Sequence, residues 1–330
     1  MEQLLRLGRR GGEIRPFCQR AGVQPRGYSR PLQRVLADFG AEASFARAAE
    51  RVKEHYRIDI PESAVRKQTL AHGRKLSGLV FKHKGAVPRQ IITEMDGSMV
   101  PVMQPGKGPD GRKGKTLLWR EARLCMARDV EQAAGIYGAT MGSADIASDV
   151  WRQTALQAGL HDNTFVHGVG DGAPWIVDKF GENFGQQGRY LIDYYHVSEY
   201  LAAAAPTVAA KGKEHQWRRR QQGRLLNNQS QKVLRSLEPH QEIATAAETP
   251  VRDACRYLKQ RQHHLDYLAA RHHKLPIGSG EIESGHRHVI QQRLKLSGAW
   301  WKETNIEPML QLRVARANNQ WASYWSNNKN

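Results

Sequence analysis

The sequence predicts a mixed α/β fold, and three observations predict it. Strand-like and helix-like segments alternate through residues 90–205. A strongly polar, helix-forming stretch follows over residues 206–272. Two short helices, the second one basic, come before the alternating region. Alternation of this kind packs helices against a sheet. The polar stretch then reads as an all-helical insertion.

The elements follow in order. Residues 1–40 are basic, rich in Gly and Arg and almost without periodicity, so the start of the chain is expected to be mobile. Residues 41–80 read as a helix-turn-helix. Phe45, Ala48, Ala49 and Val52 fall at helical spacing after Ser44, a capping residue type, and Pro61 opens a second helix. There Ala64, Val65 and Leu70 face inward, and Arg66 and Lys67 lie outside, where they would meet DNA phosphates. QIITEMDGSMVPV and TLLWREARLCM read as strands. SADIASDVWRQTALQA is helical and stops at Gly159, NTFVHGVGDG is a buried strand, and APWIVDKFGENF restarts a helix. RYLIDYYHV is a strand and SEYLAAAAPTVAA a helix. After the polar stretch, LPIGSGEIES leads into a helix expected to reach about residue 296, and MLQLRVARANNQWASYW closes the chain as one amphipathic helix.

Composition narrows the partners. The 330 residues are 40% hydrophobic and 25% charged, ordinary for a packed globular chain. Lys and Arg total 50 against 32 Asp and Glu, a net +18. That surplus points to nucleic acid, because each neutralised phosphate releases a condensed counterion. Three scattered cysteines, Cys18, Cys125 and Cys255, form no C-x-x-C pair, which argues against a disulfide scaffold or a zinc ribbon. No apolar run suits a signal peptide or a membrane helix, so a cytoplasmic, nucleoid-associated protein is expected.

The chemistry-bearing residues are carboxylates. Phosphoryl transfer on DNA needs in-line oxygens and neutralised charge, and two divalent ions supply both. Mg2+ or Mn2+ takes hard oxygen ligands, so separated Asp and Glu residues on rigid elements are the pattern to seek. Asp96, in EMDGS, reads as the end of an apolar strand followed by glycine. Asp171 reads the same way between Gly170 and Gly172. A lone Asp-Gly is more often a plain turn, but two in one basic α/β chain are harder to dismiss. GSGEIESGHRH offers Glu281 and Glu283. On a helix whose apolar face is Ile282, Val289, Ile290 and Leu294, Glu283 lies at the flank and Glu281 nearly opposite. Glu283 is preferred, with an orienting Arg287 four residues on and Glu281 as the fallback; His286 also falls inward. A Gly-Ser-Gly turn into a helix is also a phosphate-binding pattern, although neither a Walker motif nor a dinucleotide fingerprint is present.

These blocks together resemble a known group. YSRPLQRVLADFGAEASFARAAERV, EMDGSMVPV, LLWREARLC, FVHGVGDGAPWI, FGQQGRYLIDYYHVSEYLAAAA, LPIGSGEIESGHRHVIQQRLKLSGAWW and MLQLRVARANNQW run from about residue 28 to residue 321. They resemble the insertion-sequence transposases of the ISKra type, related to the Mutator-like superfamily. The resemblance implies a ribonuclease-H-like catalytic domain over residues 88–205 and 273–330, interrupted by the helical insertion at 206–272. It implies an Asp-Asp-Glu triad on Asp96, Asp171 and Glu283 holding two Mg2+ or Mn2+ ions. It also implies that Asp193 and His196 match the family's Cys-or-Asp, two residues, His motif near the site. Some relatives carry paired cysteines near the N-terminus, whereas Cys18 stands alone. The resemblance also implies that Trp217, in HQWRRR, is an aromatic of the insertion that stacks on a flipped base, the alternative being an ordinary tryptophan of an amphipathic helix. Arg287, Arg293 and Lys295 are placed to meet phosphates of the transposon end. The activity implied is metal-dependent cleavage at transposon ends and strand transfer into target DNA, by a homodimer or larger assembly. The alternatives are a non-catalytic DNA-binding regulator and a structure-specific nuclease of the same fold.

Overall fold

In the computed structural model, residues 27–327 are described apart from 78, 80–82, 84, 107, 109–113 and 244, together with residues 5, 6, 13, 14, 16 and 20. The expected mobility of the first residues, and Cys18, lie largely outside that set. The chain divides into two compact units. One comprises Met1–Val80, Met99–Arg120 and Arg287–Asn330, the other Phe81–Ser98 and Glu121–His286.

The first unit is mainly helical. Helix α1 spans Arg30–Glu42, α2 Phe45–Tyr56 and α3 Glu62–Leu76. Ser44 caps α2, its side chain accepting from the Arg47 N–H. Arg57 ends that helix at φ 56°. Leu36, Ala48, Val52, Ile60 and Val65 form the shared core. Helix α1 begins well before the expected helical region. Its buried residues are Leu36, Ala37, Gly40 and Ala41, mostly small, so they leave a weak apolar stripe in the sequence. Arg66 and Lys67 are exposed on α3, as their outward placement predicted.

The second unit is built on a five-stranded mixed sheet flanked by helices. Its strands are β1 Gln90–Gln104, β2 Thr116–Asp129, β3 Ile136–Thr140, β4 Phe165–Gly170 and β5 Gly188–Ile192. Strands β1 and β2 run on into the first unit. The order is β3-β2-β1-β4-β5, with β1, β4 and β5 parallel and β2 antiparallel to β3. The chain leaves β1 toward β2 on one side and returns to β4 on the other, which makes the carboxyl ends of β1 and β4 a topological switch point. Helices α4 Ala144–Gln157, α5 Pro174–Phe184 and α6 Tyr194–Val208 connect or follow the strands. Trp151 of α4 packs on Phe180 and Phe184 of α5 and donates its ring N–H to Thr93 of β1.

Beyond α6 come α7 Glu214–Leu226, α8 Ser230–Leu237, α9 Pro250–Gln260 and α10 Tyr267–His272, and no strand lies among the described residues there. The helix after the Gly-Ser-Gly turn departs from expectation. It runs as α11 Gly280–Gly285, widens to a π-helix over His286–Gln291, and ends in the short turn α12 Gln292–Leu294. Ile282, Val289, Ile290 and Leu294 are buried as expected. The π segment breaks the uniform 100° per residue on which the sequence reading relied. The closing helix is likewise two, α13 Ile306–Ala317 and α14 Trp321–Asn327, parted where Asn319 takes φ 55°.

Two expected DNA contacts are corrected. Trp217 is buried at 8% exposure in the core around α6, α9 and α10, so it offers no open ring for a base. Arg293 is 2% exposed, lies over the rings of Phe45 and Trp301, and donates to the Gly40 carbonyl. Burial holds its pKa down to about 10. Each side chain is consumed by packing, Trp217 on the apolar side of a polar helix and Arg293 inside an aromatic cage. Arg287 and Lys295 remain exposed.

Candidate active site

The sheet register assembles the site. Gln90 through Glu94 of β1 pair with Phe165 through Val169 of β4. The last pair is Glu94 with Val169, and Asp96 and Asp171 each follow it by two residues. Val166 through Gly170 pair with Gly188 through Ile192 of β5, so the next step sets Asp171 beside Asp193. The Asp193 N–H donates to the Gly170 carbonyl at 2.7 Å, closing that ladder. Each of the three aspartates thus follows, within two residues, the point where its parallel strand finishes pairing. Asp96 is not at a strand end, as expected from sequence, because β1 continues to Gln104; it stands where the parallel ladder ends.

The three carboxylates have different surroundings. Asp96 is 42% exposed in its side chain; Oδ1 accepts the Gly97 N–H at 2.7 Å, and Oδ2 lies 3.1 Å from His286 Nε2. Asp171 accepts the Ala173 N–H on Oδ1. Gly172 beside it has φ 73°, and a Cβ there would stand 2.3 Å from Ile192, so glycine is required. Asp193 is buried, with both oxygens engaged. Oδ1 accepts the N–H groups of Tyr195 and His196 at the start of α6, and Oδ2 accepts the N–H and hydroxyl of Ser279. Four donors saturate a carboxylate. Asp193 therefore fastens the Gly-Ser-Gly turn, and that turn spends its Ser279 amide on Asp193 rather than on a phosphate. Replacing Asp193 with Ala should cost about 3 kcal/mol, from a lost cap and orphaned buried donors. Urea unfolding measures it; a loss below about 1 kcal/mol would mean that the turn is held by other contacts.

The two glutamates separate clearly. Glu281 receives Arg128 in a two-pronged pair, Nε to Oε2 at 2.7 Å and Nη2 to Oε1 at 2.6 Å. Glu283 is exposed, and its carboxylate forms no ion pair among the described residues, the expected one with Arg287 included. Among the described residues no three His, Cys, Asp or Glu side chains gather closely enough to hold a metal ion. The register brings Asp96 and Asp171 together but does not bring Glu283 into a cluster with them.

Several residues were not singled out from sequence. Glu94, two residues before Asp96 and on the same strand face, is fully buried and accepts the Ile282 N–H on Oε2 at 2.7 Å. Its Oε1 has no partner. Burial pushes its pKa up to about 8; Glu281 and Asp193 push the same way, and the Ile282 N–H and Arg128 oppose them. The signal was a charged residue at an inward position of an apolar run. Tyr257 of α9 donates to the Asp171 carbonyl, and Arg261 donates to the Gly172 carbonyl while lying 4.1 Å over the Tyr257 ring. Helix α9 thereby pins the turn after β4. His196 packs edge-on against Tyr200 and Tyr257, so the Asp193 and His196 pair supports this turn from the side.

No curated protein matches the sequence. Among solved structures, the chain is similar to one titled "Drosophila P element transposase strand transfer complex", with a TM-score of 0.33 and 10% identity, covering 94% of this chain and 83% of that one. The family described as "Uncharacterised protein family (UPF0236)" matches residues 137–327. That match takes in β3, β4, β5 and every helix from α4 onward, more than half of the sequence, and the chain belongs to the UPF0236 family.

Proposed function

We propose that the protein is a DNA transposase of the ISKra type, within the Mutator-like superfamily, that cuts transposon ends and joins them to target DNA. The observation that supports this reading is the parallel pairing of β1 with β4, whose last pair, Glu94 with Val169, lies two residues before Asp96 and Asp171 at the switch point of the sheet. The five-stranded mixed sheet flanked by helices supports a ribonuclease-H-like catalytic domain. The α2–α3 pair, with Arg66 and Lys67 exposed, supports a helix-turn-helix, and the net +18 suits a polyanionic partner.

The residues fit a hard divalent cation in part. Asp96 and Asp171 supply oxygen donors. Glu283, exposed and unpaired, is the third ligand we assign; Glu281 is committed to Arg128. Bound Mg2+ or Mn2+ would neutralise phosphate charge and hold the attacking and leaving oxygens in line. The chain's own residues place those ligands. Asp193 holds the Ser279 turn, Glu94 holds the first turn of α11, and Tyr257 with Arg261 holds the turn bearing Asp171. Joining two ends calls for at least two copies of the chain.

A second reading is a DNA-binding regulator without catalysis, and the absence of a three-ligand cluster among the described residues favours it. One experiment separates the readings. The purified protein is incubated with Mg2+ or Mn2+ and DNA carrying the inverted repeats that flank its coding region. Joined products support the transposase, nicks without joining point to a nuclease, and binding without cleavage leaves the regulator.

A further inference from the structure

At the opposite end of the same strands, where β1, β4 and β5 begin, the second unit carries an open cavity of about 780 Å³. Its lining includes the basic side chains Arg89, Arg189, His263, His264 and His273, and one acid, Asp266. Its Oδ1 accepts from Asn228 Nδ2 at 2.5 Å and from the Ala269 N–H at 3.1 Å. Neither the Arg89 nor the Arg189 guanidinium has a partner among the described residues, and both residues are exposed. The structure thus collects unpaired positive charge at one concavity, far along the strands from the carboxylates.

The chemistry selects a ligand class. Two guanidiniums free of protein acceptors suit phosphate oxygens, which match the planar donor fork of arginine. A single inorganic phosphate would leave most of this volume unfilled, whereas a cavity of this size is normal for a whole small molecule. Phe165, half-buried in the lining, presents a ring on which a base can stack. We propose that this cavity binds a phosphate-bearing nucleotide, with its phosphates on Arg89 and Arg189 and its base against Phe165. The nucleotide is either a free nucleoside phosphate or one residue of a DNA single strand. The proposal holds whether or not the carboxylates cut DNA.

Isothermal titration of the full chain tests it, using adenosine triphosphate, adenosine and a short 5′-phosphorylated oligothymidylate. Adenosine triphosphate should bind at least about tenfold more tightly than adenosine. Arg89→Ala with Arg189→Ala should weaken it at least about tenfold. A matched loss of charge on α7, Arg219→Ala with Arg220→Ala, should leave it unchanged. Both pairs are exposed, so the unfolding midpoint should stay put. Displacement of the triphosphate by the oligonucleotide assigns the cavity to a DNA strand, and its absence assigns it to a free nucleotide. Oligonucleotide binding alone, weakened only by the Arg89 and Arg189 pair, also assigns it to the strand. The proposal is overturned if neither ligand loses affinity in the Arg89 and Arg189 variant, if the α7 variant loses as much, or if adenosine binds as tightly as its triphosphate.

Discussion

Asp96→Asn and Asp171→Asn should each lower metal-dependent strand cleavage by at least about 1,000-fold, roughly 4 kcal/mol of barrier, while DNA affinity stays within about threefold. Asparagine is the informative replacement. Its side-chain oxygen can still accept the Gly97 N–H at position 96 and the Ala173 N–H at position 171, so the local turns survive. What is removed is the negative charge that a divalent cation would need. The pair Glu281→Gln and Glu283→Gln then tests the third position. Glu281→Gln breaks a two-pronged pair with Arg128 and should be read mainly in the urea midpoint. Glu283→Gln touches no partner in the protein and should be read in cleavage alone. Cleavage and joining are followed on end-containing DNA with Mn2+. Full strand transfer by Asp171→Asn would sink the assignment of Asp171, and with it the two-carboxylate core.

The second large effect is on stability. Glu94 in the folded protein titrates near 8 rather than 4.5, chiefly because it is buried. Below pH 4.5 both states hold the proton, and Glu94 makes stability no different. Above that, the unfolded chain releases the proton while the folded chain keeps it, so stability falls as pH rises toward 8. His72 acts in the opposite direction below pH 6.5, since burial lowers its pKa to about 4 and the folded state resists protonation there. The clean window is therefore pH 6.5 to 8. Across it, with chelator present, the wild type should lose about 1.5 kcal/mol relative to Glu94→Gln, the slope easing from about 1.36 kcal/mol per pH unit as pH nears 8. Glu94→Gln keeps an acceptor for the Ile282 N–H and cannot ionise, so its curve should be nearly flat. An equal slope in wild type and variant would show that Glu94 is not the titrating group.

Much of the candidate site was legible because strands and turns write local patterns. An apolar run ending in Gly-Asp-Gly announced β4 and Asp171, and RYLI announced β5, although the helix begins at Tyr194, inside the expected strand RYLIDYYHV, with Asp193 as its cap. The apolar spacing of Ile282, Val289, Ile290 and Leu294 announced the inward face of the helical run from Gly280 to Leu294. Other features were not legible. Helix α1 buries small residues, which leave little contrast to read. The π segment at His286–Gln291 changes the angular step, so the wheel that favoured Glu283 over Glu281 was only approximate. The stronger ground for Glu283 is that Arg128 claims Glu281 from 153 residues away along the chain.

By itself, then, the sequence determined the alternation of strands and helices through residues 90–205, though without β3, the basic charge, and the identity of Asp96, Asp171 and the two glutamates as residues worth testing. These follow from composition and from patterns a few residues long. Only the tertiary structure decided which of them meet. Parallel pairing of β1, β4 and β5 brought side by side the strands after which the three aspartates come, although they are far apart in the chain. Packing withdrew Trp217 and Arg293 from the DNA-facing set, gave Asp193 to the Ser279 turn, and buried Glu94 under the first turn of α11. The physical reason is the same in each case. Burial and pairing are properties of contacts between distant segments, and no short stretch of sequence records which segment will arrive.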